Sequence, residues 1–267
     1  MNFRKWTTMM RLDHFVVHID GDQTKLETLK NTIEPMGFPF NPNAGKRTKG
    51  FQVANIWIGN QYLELVWLKT KDGGGWRKEW VEKYNRGLRG IFGLCLMTDQ
   101  LDSLEKELRK RCIDASPPER ITFKMLFGLL KKTLPFRLVF TPPIPGTDLQ
   151  VFFLEMDSQE KYEFMRKYFM KPNARENGIT GITEAVVRCP FSKEAWEYIG
   201  AIFPDMTGDE QRATYDMGET KLHFVHSDER GLDKRRLKVE LLASTIHDDL
   251  ANQSFEVENV RVTTGTV

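Results

Sequence analysis

From Arg11 to Asp20 the chain reads RLDHFVVHID, a β-branched and aromatic run that predicts a strand. The next stretch, GDQTKLETLKNTIEPMGF, sets Leu26, Leu29 and Ile33 at helical spacing and ends near Pro35 and Gly37. Past a basic, glycine-containing loop, FQVANIWIG and NQYLELVWL predict two strands joined by a turn at Gly59 and Asn60. The same order then returns. GIFGLCLMT predicts a strand, and DQLDSLEKELRKRC a helix with Leu101, Leu104, Leu108 and Cys112 on one face behind a cap at Asp99. PFRLVF and DLQVFFLEMD follow as strands separated by TPPIPGT. Before them, FKMLFGLLKK predicts a buried amphipathic helix, with a lid or a membrane contact as its alternatives.

Residues 158–178, SQEKYEFMRKYFMKPNARENG, form a charged helical pattern that runs into Pro, Asn and Gly, the composition of a connector. Beyond it, ITEAVVRCP predicts a strand and SKEAWEYIGAIF a helix opened by Ser192, followed by RATYDMGE, TKLHFVHSD and RRLKVELLAS as three strands. A β-α-β-β-β unit recurring at roughly 70 to 80 residues cannot bury its sheet alone. Two such units, over 11–70 and 89–157, are expected to pair into one domain with a curved sheet whose concave face is a pocket. The expected class is therefore α+β: tandem βαβββ modules forming a curved mixed sheet, a connector, and a third, looser α+β module over 179–262.

Composition narrows the function classes. At 267 residues, 40% hydrophobic and 11% aromatic, the chain has ample material for a packed core. Its 39 basic residues nearly balance 37 acidic ones, so no net field points to nucleic acid or an anionic membrane. Cys95, Cys112 and Cys189 are an odd, widely separated set without a CxxC pair, which fits a reducing, cytoplasmic setting. The opening MNFRKWTTMMRLDHF lacks the apolar core of a signal peptide, and no uncharged run reaches the roughly 18 residues of a membrane span. There is no HExxH, GxSxG or GxGxxG, and GKRTKG lacks phosphate-loop spacing, so no nucleotide cofactor is expected.

Candidate chemistry starts at Glu64, a carboxylate inside the apolar run YLELVWL. A charge taken from water costs several kcal/mol, so this residue needs solvent, a cation or a proton. Alternation puts Leu12, His14, Val16 and His18 on one face of the first strand and Asp13, Phe15, Val17 and Ile19 on the other. Glu64 shares a face with Tyr62 and Val66, and Glu155 with Val151 and Phe153. With the repeats paired, His14, Glu64 and Glu155 are expected to converge in one cup, an imidazole and two carboxylates suited to Zn, Ni, Mn, Fe or Co. The bland alternatives are a core histidine bonded to a backbone carbonyl, and glutamates that are solvated or paired with arginine. Asn55, Tyr62 and Phe153 are the expected pocket lining, with His18 as a second candidate whose alternative is a strand-end histidine near solvent, and Asn55 with Lys46, Arg47 and Lys49 could cover the cup and meet an anionic substrate. Trp76 and Trp80 read as packing residues, His223 and His226 fall on opposite strand faces, and Glu240 reads as structural.

RLDHFVVHI, NIWIGNQYLELVWL, GIFGLCLMTDQLDSL and LQVFFLEMD resemble the vicinal oxygen chelate superfamily, in its glyoxalase-like domain branch, over about Arg11 to Asp157. Asn55 and the YLEL and FFLE runs carry most of the likeness. The resemblance implies paired βαβββ modules with a divalent metal in the cup, its ligands mapping to His14, Glu64 and Glu155. The remaining ligand place, early in GIFGLCLMT, is taken by Phe92. Two functions follow from the resemblance. One is a metal-dependent lyase, isomerase or dioxygenase that chelates neighbouring substrate oxygens, with Glu64 or Glu155 moving a proton. The other is a metal-free small-molecule binding and sequestering protein of the bleomycin-resistance type, with Phe92, Phe153 and Tyr62 as walls. The C-terminal module would then cap the cup or support a homodimer.

Overall fold

The computed structural model describes residues 10–125, 130–227 and 237–266. The first repeat holds β1 (Arg11–His18), α1 (Gln23–Ile33), β2 (Phe51–Ile58) and β3 (Gln61–Leu68), and α2 (Lys78–Asn85) follows it. The second repeat holds β4 (Gly90–Met97), α3 (Leu101–Lys110), a pair β5 (Thr122–Met125) and β6 (Leu130–Thr133), then β7 (Phe136–Pro143) and β8 (Gln150–Met156). Asp22 caps α1 by accepting from Thr24 N and Lys25 N. Asp99 does not cap α3: the cap position is Gln100, without a side-chain bond, and Asp99 lies 3.5 Å from Arg11 instead.

These repeats build one six-stranded sheet in the order β2-β3-β1-β4-β8-β7. β1 and β4 pair antiparallel at its centre, and each half closes by a parallel pairing, β1 with β3 and β4 with β8. The run FKMLFGLLKK is not helical where it is described. β5 and β6 pair antiparallel, and residues 126–129 lie outside the described residues. The sequence holds a reason, since Gly128 would cost a helix interior about 1 kcal/mol.

After α4 (Gln159–Tyr168), capped by Ser158, the chain enters β9 (Ile179–Cys189), α5 (Lys193–Ile202), β10 (Thr207–Gly208), β11 (Arg212–Asp216) and β12 (Lys221–His226). β13 (Lys238–Thr245), β14 (Ser254–Val257) and β15 (Val260–Thr266) complete a seven-stranded sheet, β10-β11-β12-β9-β13-β15-β14. RRLKVELLAS therefore does not close a third unit. β13 pairs antiparallel with β9, as β4 does with β1, and parallel with β15, as β4 does with β8. It opens a fourth unit whose helix has shrunk to the single turn Asp248–Leu250.

One apolar core runs along the helix-side faces of both sheets, joining Phe15, Leu94 and Phe153 to Leu26 of α1, Leu104 of α3, and Val187 and Phe224 of the second sheet. A smaller core covers the opposite face of the first sheet. The sheets are also stitched by polar groups. Asn173 Nδ2 donates to Gly59 O at 2.8 Å, and Asn259 Oδ1 accepts from Ile91 N at 2.7 Å. Gly59 has φ +68°, and a Cβ there would lie 2.1 Å from Thr180 O, so this turn requires glycine. Among the described residues no helix is long and apolar enough to cross a membrane.

Candidate active site

Strand β1 breaks its own alternation. Its register with β4 passes from Leu12↔Leu96 to His14↔Cys95, which leaves Asp13 as an extra, bulged residue. Leu12 thereby joins Phe15 and Val17 in the helix-side core, rather than sharing a face with His14. Asp13, expected on the opposite face, is buried beside His14, and its Oδ2 lies 2.6 Å from His14 Nδ1. A carboxylate on one imidazole nitrogen fixes the ring and leaves the other nitrogen free to act.

That other nitrogen faces Glu64. Parallel pairing sets His14 against Tyr62 and Val16 against Glu64, and His14 Nε2 comes to 3.8 Å from Glu64 Oε2. Tyr62 stacks on the imidazole at 4.5 Å, and Phe152 meets it edge-on at 5.5 Å. The Glu64 side chain is 19% exposed. Burial raises its pKa above the ordinary carboxylate value, helped by Asp13 and opposed by His14. Asn55 lies directly across β2–β3 from Glu64, with a buried Oδ1 that has no hydrogen-bond partner. Cys95 sits beside His14, its thiol pushed well up by burial and then by Asp13 and Glu64. One donor atom each from Asp13, His14 and Cys95 lie within 4.8 Å of one another, a set that suits a borderline transition metal.

Deeper in, the cup is filled by the protein's own rings. Trp80 of α2 enters it, 5.0 Å from Phe92 and 5.8 Å from both Phe140 and Phe152, and its Nε1 donates to Gln150 Oε1 at 2.7 Å. Phe92, at the place where the resemblance implies a further ligand, is fully buried beneath this packing. His18 neither lines an opening nor lies near solvent at the strand end, since it is fully buried. It stacks on Phe92 at 3.7 Å, both ring nitrogens are buried without a partner, and its pKa falls to about 3 through burial, with Arg89 and Lys83 adding to the effect.

Glu155 and Phe153 require correction. They share a face with Val151, as alternation demands, but it is the face packed on α3. Phe152 takes the cup side instead. Glu155 Oε1 accepts from the Leu101 N–H at 3.2 Å, supplying the cap that Asp99 does not. Its Oε2 accepts from Arg137 Nε at 3.1 Å, and Arg137 also binds Asp102. Glu155 is thus brought to an arginine and a helix end, and His14 and Glu64 to each other. In the basic loop, Arg47 is bonded to Gln52 and Asn43.

A cavity of about 590 Å³ opens at this end of the sheet, lined among others by Arg11, Met97, Arg120, Arg137, Tyr162 and Glu155, which reaches it from its pairing with Arg137. Met97 stands two residues from Cys95 on β4, and Asp13 acts electrostatically on Tyr162, so the cavity adjoins the cluster. Sequence reasoning missed Asp13 and Cys95. The bulge that brings Asp13 in leaves no signature in residue types, and Cys95 is one apolar-looking residue in a fully buried strand.

A family model described as a glyoxalase-like domain matches residues 12–199 of the chain. No curated protein matches it. Among solved structures, a hypothetical protein from Staphylococcus aureus aligns with a TM-score of 0.68 at 12% identity, covering 97% of this chain and 100% of that one. A methylmalonyl-CoA epimerase in complex with methylmalonyl-CoA and NH4+ aligns at TM-score 0.40 and 16% identity over 56% of this chain and 96% of its own. The methylmalonyl-CoA epimerase from Mycobacterium tuberculosis gives 0.41 and 14% over 58% and 93%.

Proposed function

Because the chain belongs to the glyoxalase-like domain family of the vicinal oxygen chelate superfamily, we propose that its first sheet carries a small-molecule enzyme centre at His14 and Glu64. Its cofactor would be a divalent cation, and its activity lyase, isomerase or dioxygenase chemistry on neighbouring oxygens. The observation that carries this reading is the 3.8 Å between His14 Nε2 and Glu64 Oε2, with His14 Nδ1 tied to Asp13 at 2.6 Å. Two ligands that each bind at about 2.1 Å can stand at most about 4.2 Å apart, so the pair fits one cation. A cation held there would act as a Lewis acid on the substrate oxygens.

The chain's own residues supply the rest. Asp13 orients the imidazole so that Nε2 offers its lone pair. Glu64, whose pKa burial raises above the ordinary carboxylate value, is suited to take a proton from carbon or oxygen and return it. Asn55 Oδ1 lacks a donor, and a substrate hydroxyl or amide would satisfy it. The adjoining cavity lies in the usual range for small ligands, roughly 300 to 1,000 Å³. Glu155 is not a ligand in this reading; tied to Arg137, it belongs to the wall of the adjoining cavity. A flat ligand sequestered in the cup is disfavoured, because Trp80 and Phe152 already fill it.

A second ligand set, Asp13, His14 and Cys95, is favoured by the proximity of its three donor atoms. Metal analysis of protein purified without chelator separates the possibilities. About one equivalent is expected, lost in His14→Ala and in Glu64→Ala. Loss in His14→Ala and Cys95→Ser with Glu64→Ala unaffected would move the site to the second set. A metal content that neither His14→Ala nor Glu64→Ala changes would overturn the metal centre altogether.

A further inference from the structure

Apart from the added edge strand β10, the second sheet repeats the order and pairing of the first, and it repeats the bulge. Its register passes from Ile182↔Ala243 to Glu184↔Leu242, leaving Thr183 extra on β9 as Asp13 is extra on β1. Glu184 thus stands at the position of His14. Two residues on, Val186 pairs with His223 across the parallel β9–β12 ladder, as Val16 pairs with Glu64 across β1–β3. The imidazole and the carboxylate occupy the same two places with their identities exchanged. Their separation is also the same, 3.8 Å from His223 Nε2 to Glu184 Oε2.

His223 points away from the core, which takes its strand neighbours Leu222 and Phe224. It is nevertheless only 5% exposed. Its Nδ1 lies 2.8 Å from the Thr214 hydroxyl, while its Nε2 is buried with no hydrogen-bond partner. A buried ring nitrogen left unpaired is costly, and a ligand between it and Glu184 would satisfy it.

We propose that His223 Nε2 and Glu184 Oε2 form a second divalent-cation site, on the C-terminal sheet, for a borderline transition ion such as Zn2+, Ni2+ or Co2+ with solvent completing its shell. With Nδ1–H donated to Thr214, Nε2 presents a lone pair toward the carboxylate, the arrangement a cation would bridge. Burial, then Arg212, lower the pKa of His223, with Glu184 opposing and Lys221 adding to the effect. Arg212 and Lys221 also repel a cation, which makes this site weaker than one at His14. Glu184 is 45% exposed and gives the ion a path from solvent. The site is independent of the reading of His14 and Glu64.

Equilibrium dialysis of the full chain against Co2+ or Zn2+, with histidine nitrogen NMR, tests it. Glu184→Gln is the informative variant, because a half-exposed glutamate can be replaced without unfolding the sheet. Glu184→Gln and His223→Gln are each expected to weaken one binding event at least tenfold, and Zn2+ to move the His223 Nε2 resonance while His226 and His247 stay in place. The same behaviour is expected in a His14→Ala background. Binding unchanged by both substitutions, or a His223 resonance that does not respond, overturns the site. Loss in the His223 and Glu184 variants without loss in His14→Ala and Glu64→Ala would instead overturn the first centre and leave this one standing.

Discussion

The two sheets share their ladder pattern and differ in what lies on the face away from the helices. On the first, α2 lays Trp80 over Phe92, Phe140 and Phe152, and burial raises the pKa of Glu64. On the second, the matching face carries half-buried Glu184, Val186, Arg188, Glu240 and Leu242. Duplicated topology therefore supplies the same places twice, while the covering decides their chemistry. A carboxylate set against aromatic rings is pushed toward its protonated form, while one at the solvent edge keeps its hydration.

The largest test of this difference is Trp80→Ala. Emptying a filled cup should cost about 3–5 kcal/mol in chemical denaturation. Leu242→Ala, on the half-buried face of the second sheet, should cost less than about 1 kcal/mol. Equal losses would show that the second face is covered as tightly as the first.

Next in size is an effect of pH. His18 keeps a folded pKa of about 3 against an ordinary value of 6.5, so the unfolded chain binds a proton that the folded chain refuses. Its contribution to stability is complete above pH 6.5 and is lost as the pH falls toward 3. The difference amounts to about 2 kcal/mol at pH 5. His18→Leu, close in volume and without the two unpartnered nitrogens, should flatten the stability curve between pH 6.5 and 4. His223 is shifted in the same direction on the more open sheet, and His223→Gln should flatten it less. An acid limb as steep in His18→Leu as in the parent chain would refute the assignment.

The sequence made the strands legible because their apolar and β-branched runs are bounded by Gly, Pro and Asn. It could not say which face of each strand meets the helices. All eight residues of β4 are buried, so period-two alternation there separates two faces without telling cup from core. That is why Phe153 and Glu155 were expected in the cup when Phe152 is the residue facing His14. Nor could it show bulges: one extra residue at Asp13 moved Leu12 out of the site and a carboxylate into it. The fourth unit stayed hidden because its helix is only the turn Asp248–Leu250, too short for any helical period.

The smallest effects come from one matched pair of positions. Gly93 lies across from Val16, and Glu240 across from Val186, so the two occupy equivalent places in the central ladders. A Cβ on Gly93 would stand 2.9 Å from Val16 Cγ2 and 3.1 Å from Phe152 Cε1, both part of the packed cup. Gly93→Ala should therefore destabilise by about 1 kcal/mol through overpacking. Glu240 points outward and pairs with Arg188 at 3.0 Å, with both side chains more than a third exposed. Glu240→Ala should change stability by less than about 0.5 kcal/mol, since solvent screens such a pair. If Glu240→Ala proves the more costly of the two, a covering group must press on the second sheet as Trp80 presses on the first, and the contrast between the faces dissolves.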